Sequence, residues 1–167
     1  MSKTYAGIGS RRIPEDIAQF MSDLAYALGY SYWVLRSGGA EGADRAFEVG
    51  ARQTPTPPEI FTKDDTNLEA MSIASRFHPV WHLLTPHQKE VIARNTFQIL
   101  GRSLDDPVKF VICWTPDAAN GTDIPTTKET GGTGQAIRIA ASMGIPIFNL
   151  ANPSAKRELR GLLERIL

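Results

Sequence analysis

Three glycine-rich turns hold most of the residues able to bind an anion: Gly7-Ile8-Gly9-Ser10-Arg11, Ser37-Gly38-Gly39-Ala40-Glu41-Gly42-Ala43-Asp44 and Gly131-Gly132-Thr133-Gly134. Glycine lets backbone N–H groups approach a ligand closely, Ser10 can donate to a phosphate oxygen, and Arg11 presents a planar fork of donors. Each turn lies between a strand-like run and a helix-like run, where α/β folds aim backbone donors and helix N-termini at one crevice. The chemistry implied is capture of phosphate by Gly9, Ser10, Arg11, Gly38, Gly39 and the turn Gly131, Gly132, Thr133, Gly134. The first turn lacks the third glycine of a dinucleotide fingerprint. Asp44 suits either the cap of a helix or a sugar hydroxyl.

The elements that must position these residues are short. Extended segments are predicted at Tyr5 to Gly9, Tyr32 to Arg36, Glu59 to Thr62, Lys109 to Trp114 and Pro146 to Leu150. Helices are predicted at Pro14 to Leu28, Gly42 to Ala51, Leu68 to Arg76, Pro86 to Leu100, Gly134 to Met143 and Ser154 to Ile166, with Pro14 and Pro86 suited to a first turn. Their alternation predicts an α/β fold, a mainly parallel sheet with helices on both faces. Gln53 to Pro58 carries three prolines and reads as a connector. The polar stretch Thr115 to Thr130 is long for a simple connection and is expected to act as a lid. Trp114, at the C-terminal end of its strand, is placed to stack on a base.

Composition bounds the partners. The 167 residues fit one domain, residues 1–167, large enough to bury a core unaided. Lys plus Arg and Asp plus Glu are 18 each, so the net charge is zero and no basic block supports nonspecific nucleic-acid binding. The single cysteine, Cys113, lies in an apolar run and reads as a buried thiol, which fits a reducing, cytoplasmic setting. No apolar stretch approaches membrane-spanning length, so no membrane partner is expected. His78 and His82 are four apart, but Pro79 interrupts the pattern and no further ligand completes a metal site. Neither a P-loop nor a Gly-x-Ser-x-Gly elbow is present.

Taken in order, Gly9-Ser10-Arg11, then Ser37-Gly38-x-Ala40-x-Gly42-x-Asp44, then Arg94-Asn95 resembles the signature of the SMF/DprA-LOG (SLOG) superfamily of Rossmann-like domains. The resemblance runs from Tyr5 to Leu150. It implies that Arg94 and Asn95, on the helix starting near Pro86, clamp a phosphate or ribose opposite the glycine turns. Ile92, Thr96 and Ile99 fall on other faces of that helix. The DprA branch implies single-stranded DNA binding; Phe47 stands where that branch commonly shows His. The LOG branch implies a phosphoribohydrolase that cleaves the N-glycosidic bond of a nucleoside monophosphate. Here Gln135 replaces its Thr, and Arg138 stands where its Glu would be. A guanidinium can neither act as a base nor stabilise developing positive charge, so Arg138 suits an additional anionic group instead. Turnover would need a substitute carboxylate: Glu129 first, or Asp117 or Asp123.

These observations favour a binder over an enzyme, one that senses or sequesters a nucleotide or nucleotide-derived small molecule as a homo-oligomer without a cofactor. Ser37, Asp44, Arg94, Asn95 and Trp114 complete the ligand set alongside the glycine turns and Arg138. The alternatives are a nucleotide N-glycosidase and a DprA-like single-stranded DNA binder.

Overall fold

The five apolar runs form one parallel sheet in the order β3-β2-β1-β4-β5, in a computed structural model that describes residues 2–167. The strands are β1 (Thr4–Gly9), β2 (Val34–Ser37), β3 (Glu59–Ile60), β4 (Val111–Trp114) and β5 (Ile147–Asn149). Six helices accompany them: α1 (Glu15–Tyr30), α2 (Ala43–Ala51), α3 (Leu68–Ser75), α4 (Pro86–Leu100), α5 (Thr133–Ser142) and α6 (Pro153–Ile166). Short 3-10 turns occupy Lys63–Asp65, Trp81–Leu83 and Lys128–Thr130.

Period-two alternation divides the core into two layers. Tyr5, Leu35, Phe110 and Ile112 pack with α1, α2 and α6, whereas Ala6, Ile8, Val111 and Cys113 pack with α4 and α5. Both faces of the sheet are therefore covered, as parallel pairing requires. Tyr5 stacks on Phe110 with ring centroids 5.6 Å apart, and both are almost fully buried. Each such ring contributes roughly 1.5–3 kcal/mol of apolar burial.

Local signals set the element ends. Thr85 and Gln88 form a capping box at the start of α4, with Pro86 in its first turn. β2 begins at Val34, later than the sequence predicts. Tyr32 and Trp33 turn their amides back onto the carbonyls of Gly29 and Leu28 and so close α1. β3 ends at Ile60 because Thr62 caps the following 3-10 turn.

The chain runs outward from β1 to β2 and β3, then returns across β1 to β4 and β5. The sheet order thus reverses between β1 and β4, where Gly9 pairs with Trp114. Outside the C-terminal ends of strands at such a reversal, the two connections diverge and leave a crevice.

Candidate functional site

That crevice has a volume of about 310 Å³ and lies between the end of β1, the start of α2, one face of α4 and the turn before α5. Gly9, Ser10, Arg11, Asp44, Arg94, Asn95, Glu129, Gly131, Gly132 and Thr133 line it, so residues from four distant parts of the sequence meet there. Ala40, Val91, Ile92 and Gln98 add to its walls.

The glycine turn before α2 is closed by its own side chain. The Asp44 carboxylate accepts the Ala40 N–H at 3.3 Å, and the backbone N–H groups of Gly38 and Gly9 lie near enough to favour its ionised form. The Ala43 amide donates to Ser10 O at 3.1 Å. The donors expected to hold phosphate at Gly38 are thus already engaged, and Gly39 is exposed outside the crevice lining. Burial pushes the Asp44 carboxyl up to about 6, although Arg94 and the backbone N–H groups pull the other way.

Arg94 and Asn95 act as cross-braces. Arg94 Nη1 donates to Gly38 O at 2.7 Å and to Phe61 O at 3.2 Å, and its Nε donates to Asn95 Oδ1 at 3.1 Å. Asn95 Nδ2 donates to Gly132 O at 3.1 Å. This chain of contacts fixes the second glycine turn relative to the third. The Arg94 guanidinium loses solvation there, which lowers its pKa from the usual value.

The third turn is open. A helix leaves its first amides without intrahelical partners, and those of α5 begin at Gly132 and Thr133 on the crevice wall. No atom comes within 4 Å of where a Cβ would project at Gly131 or Gly132. Opposite them stand Ser10 and the exposed Arg11. Two amides, two hydroxyls and a guanidinium can together hold a phosphate.

Besides Gly38, five expected site residues lie outside the crevice lining. Ser37 is fully buried and donates its hydroxyl to Gly7 O at 2.6 Å. Trp114 packs against the α1–α2 side of the core, with its carbonyl accepting the Ser10 amide. Gly134 is buried inside α5. Arg138 donates to Phe77 O at 2.6 Å, Gln135 Oε1 at 3.0 Å and Thr126 Oγ1 at 3.2 Å, all protein acceptors, and does not line the crevice. Gln135 in turn donates to Ala74 O at 2.9 Å. The two α5 positions where the chain departs from the hydrolase pattern therefore anchor α3 and the segment after it. Gly39 is the fifth.

Of the three carboxylates expected to substitute in hydrolysis, Glu129 lines the crevice in an exposed position. Asp117 instead organises the 115–130 segment, accepting from the hydroxyls of Thr115 at 2.8 Å, Thr127 at 2.7 Å and Thr130, and from the Ala119 amide. Burial opposes its ionised form, but these hydrogen bonds outweigh burial and lower its pKa. Asp123 lies beside Asn149 and Glu158, away from the crevice. Among the described residues no three His, Cys, Asp or Glu side chains group as a metal site.

Sequence reasoning missed Val91, Ile92 and Gln98. Positions 91, 94, 95 and 98 follow the i, i+3, i+4, i+7 spacing of one helical face, so the place of Arg94 and Asn95 predicts Val91 and Gln98 as neighbours. Ile92, expected on another face, reaches the crevice from beside Val91.

With this geometry in place, solved structures supply a comparison. DNA processing protein A from Helicobacter pylori, whose structure concerns a single-stranded DNA binding mode, superposes with a TM-score of 0.57 at 18% identity over 89% of this chain. This chain shares its fold. DNA processing protein A from Streptococcus pneumoniae gives a TM-score of 0.46 at 17% identity over 90% of the chain. The chain spans 65% and 59% of the lengths of these two proteins. No family model and no curated protein matches the sequence. No helix among the described residues is long and apolar enough to cross a membrane.

Proposed function

We propose that the chain binds a nucleotide unit in the crevice, with phosphate on Gly132, Thr133, Ser10 and Arg11. The observation that carries this reading is the open start of α5 facing Ser10 and Arg11 across a crevice of about 310 Å³. Oriented amides at a helix N-terminus beside a guanidinium favour an anionic group, and a crevice of this size suits one nucleotide rather than a long segment of backbone.

Two ligands present such a unit. Single-stranded DNA is supported by the likeness of the fold to the Helicobacter pylori protein. A free nucleotide is the second reading, favoured by the zero net charge and by Arg11 being the only exposed cation lining the crevice among the described residues. Strand binding neutralises several phosphates and releases counterions, so it weakens steeply as salt rises, whereas a single phosphate contact gives a shallow slope.

The test is titration of a fluorescent oligonucleotide and of mononucleotides against wild type and Arg11→Ala at several salt concentrations, beside melting curves. A single-strand ligand gives oligonucleotide binding with a strong salt slope that Arg11→Ala reduces. Failure of the oligonucleotide, together with a mononucleotide that raises the melting midpoint by mass action, replaces it with the second reading. If neither ligand binds, the crevice is not a nucleotide site.

A further inference from the structure

The N-terminal half of α4 is largely open, whereas every residue from Asn95 to Leu100 is buried, so Gln98 marks the deep end of the crevice. Gln98 is only 2% exposed, and its side-chain amide, which makes no hydrogen bond to another described residue, keeps some access to the crevice it lines. Its neighbours on the same helical face, Arg94 and Asn95, are both held by the protein. A Cβ built on Gly38 would lie 2.5 Å from Gln98 Nε2, 2.7 Å from Arg94 Nη1 and 2.8 Å from Asp44 Oδ2, so three polar groups converge beneath that glycine. An amide held by no protein group is free to pair with a ligand, and where little water reaches it a mismatched ligand leaves a polar group unpaired at a cost.

We infer that Gln98, together with Asp44, determines which base the crevice accepts, and that this base is guanine. The inference rests on the nucleotide reading above. Gln98 presents a planar pair, one donor and one acceptor, and the Asp44 carboxylate adds an acceptor beside it. Guanine's outer edge offers the complementary row: the O6 acceptor, the N1–H donor and the N2 amino donor. Gln98 Nε2 donates to O6, N1–H donates to Gln98 Oε1, and the amino group donates to Asp44. Adenine offers one donor beside one acceptor and leaves the carboxylate unpaired. Cytosine has one donor and two acceptors, and uracil or thymine sets a carbonyl against the carboxylate. Leaving a buried polar group unpaired is how a site rejects a near-isostere. Ile8, Ala40, Val91 and Ile92 supply apolar walls for the flat faces of the ring.

The experiment measures affinity for the four nucleoside 5′-monophosphates in ribo and deoxy forms, and for thymidine-rich oligonucleotides carrying a single guanine or adenine. Wild type, Gln98→Met and Arg11→Ala are compared. In whichever set binds, wild type prefers guanine by about tenfold or more. Gln98→Met abolishes that preference, retains Arg11-dependent binding, and melts no lower than wild type without ligand because no protein hydrogen bond is lost. A purely structural Gln98 gives the opposite pattern, a lower midpoint with the preference intact, and overturns the inference. Binding without base preference, or a ribo-over-deoxy preference that Gln98→Met removes, overturns the guanine assignment while the nucleotide reading stands. No binding of any probe by wild type overturns both.

Discussion

The turns that start α2 and α5 share a composition of glycines and small polar residues, yet one is closed and the other open. At α2 the Asp44 carboxylate accepts the Ala40 N–H and sits close to the backbone N–H groups of Gly38 and Gly9, so the turn carries its own anion. At α5 Gly132 and Thr133 line the crevice with no side chain of the protein filling the turn, and Asn95 holds it through Gly132 O. A glycine-rich helix start is therefore an anion site only when no side chain of the protein already fills it. The closed turn contributes shape and a buried carboxyl, and the open one leaves its first amides available to an anion.

The comparison breaks most sharply at Gly42. Its φ of 83° lies in the left-handed half of the map, and an added Cβ would meet the Arg11 carbonyl. Gly42→Ala is expected to destabilise the fold by roughly 3 kcal/mol, read by chemical denaturation. A change under ~1 kcal/mol would show that the closed turn is not rigid.

Next in size is the pH response of Asp44. Its folded carboxyl titrates near 6 against a usual value of 3.8, so the fold favours the neutral acid. That stabilisation is complete below about pH 4 and is lost as pH rises through about 6. Between these limits wild type should lose on the order of 2–3 kcal/mol relative to Asp44→Asn. Parallel stability curves for the two proteins would mean that Asp44 is not buried in the closed turn as described.

Arg11→Ala addresses the open side. Loss of a charge-assisted phosphate contact should weaken nucleotide binding by about 2 kcal/mol, measured calorimetrically, and leave the melting midpoint unchanged because Arg11 is exposed. Unchanged affinity would remove Arg11 from the cradle.

The smallest effect is predicted for Gly132→Ala. With φ at −60° and open space around it, this substitution should alter stability by no more than ~0.5 kcal/mol. The same change costs most at Gly42 and least at Gly132, and a large loss at Gly132 would erase the distinction between the turns.

Much of this arrangement was legible in the sequence. Strand and helix alternation gave all five strands and all six helices to within two residues at most ends, since each run is short and bounded by Gly, Pro or a capping residue. The glycine turns and the Arg94-Asn95 pair identified the crevice, because backbone approach demands small residues and they recur before helices. Residue spacing on α4 also contained Gln98, once Arg94 was placed.

What tertiary structure alone decided was which polar groups are already engaged. Ser37 turns to Gly7, Arg138 to Phe77, and Asp117 to Thr127 and Thr130 as well as to its near neighbour Thr115, and apart from that last pair none of these contacts follows from local spacing. Hydrogen bonds join groups far apart in the chain, and a donor held by the protein is lost to a ligand. Sequence fixes what a side chain can do through its chemistry and its place on a strand or helix. Only packing, which brings Gly38, Asp44, Arg94 and Gln98 to one point, determines which of those capacities remain for binding.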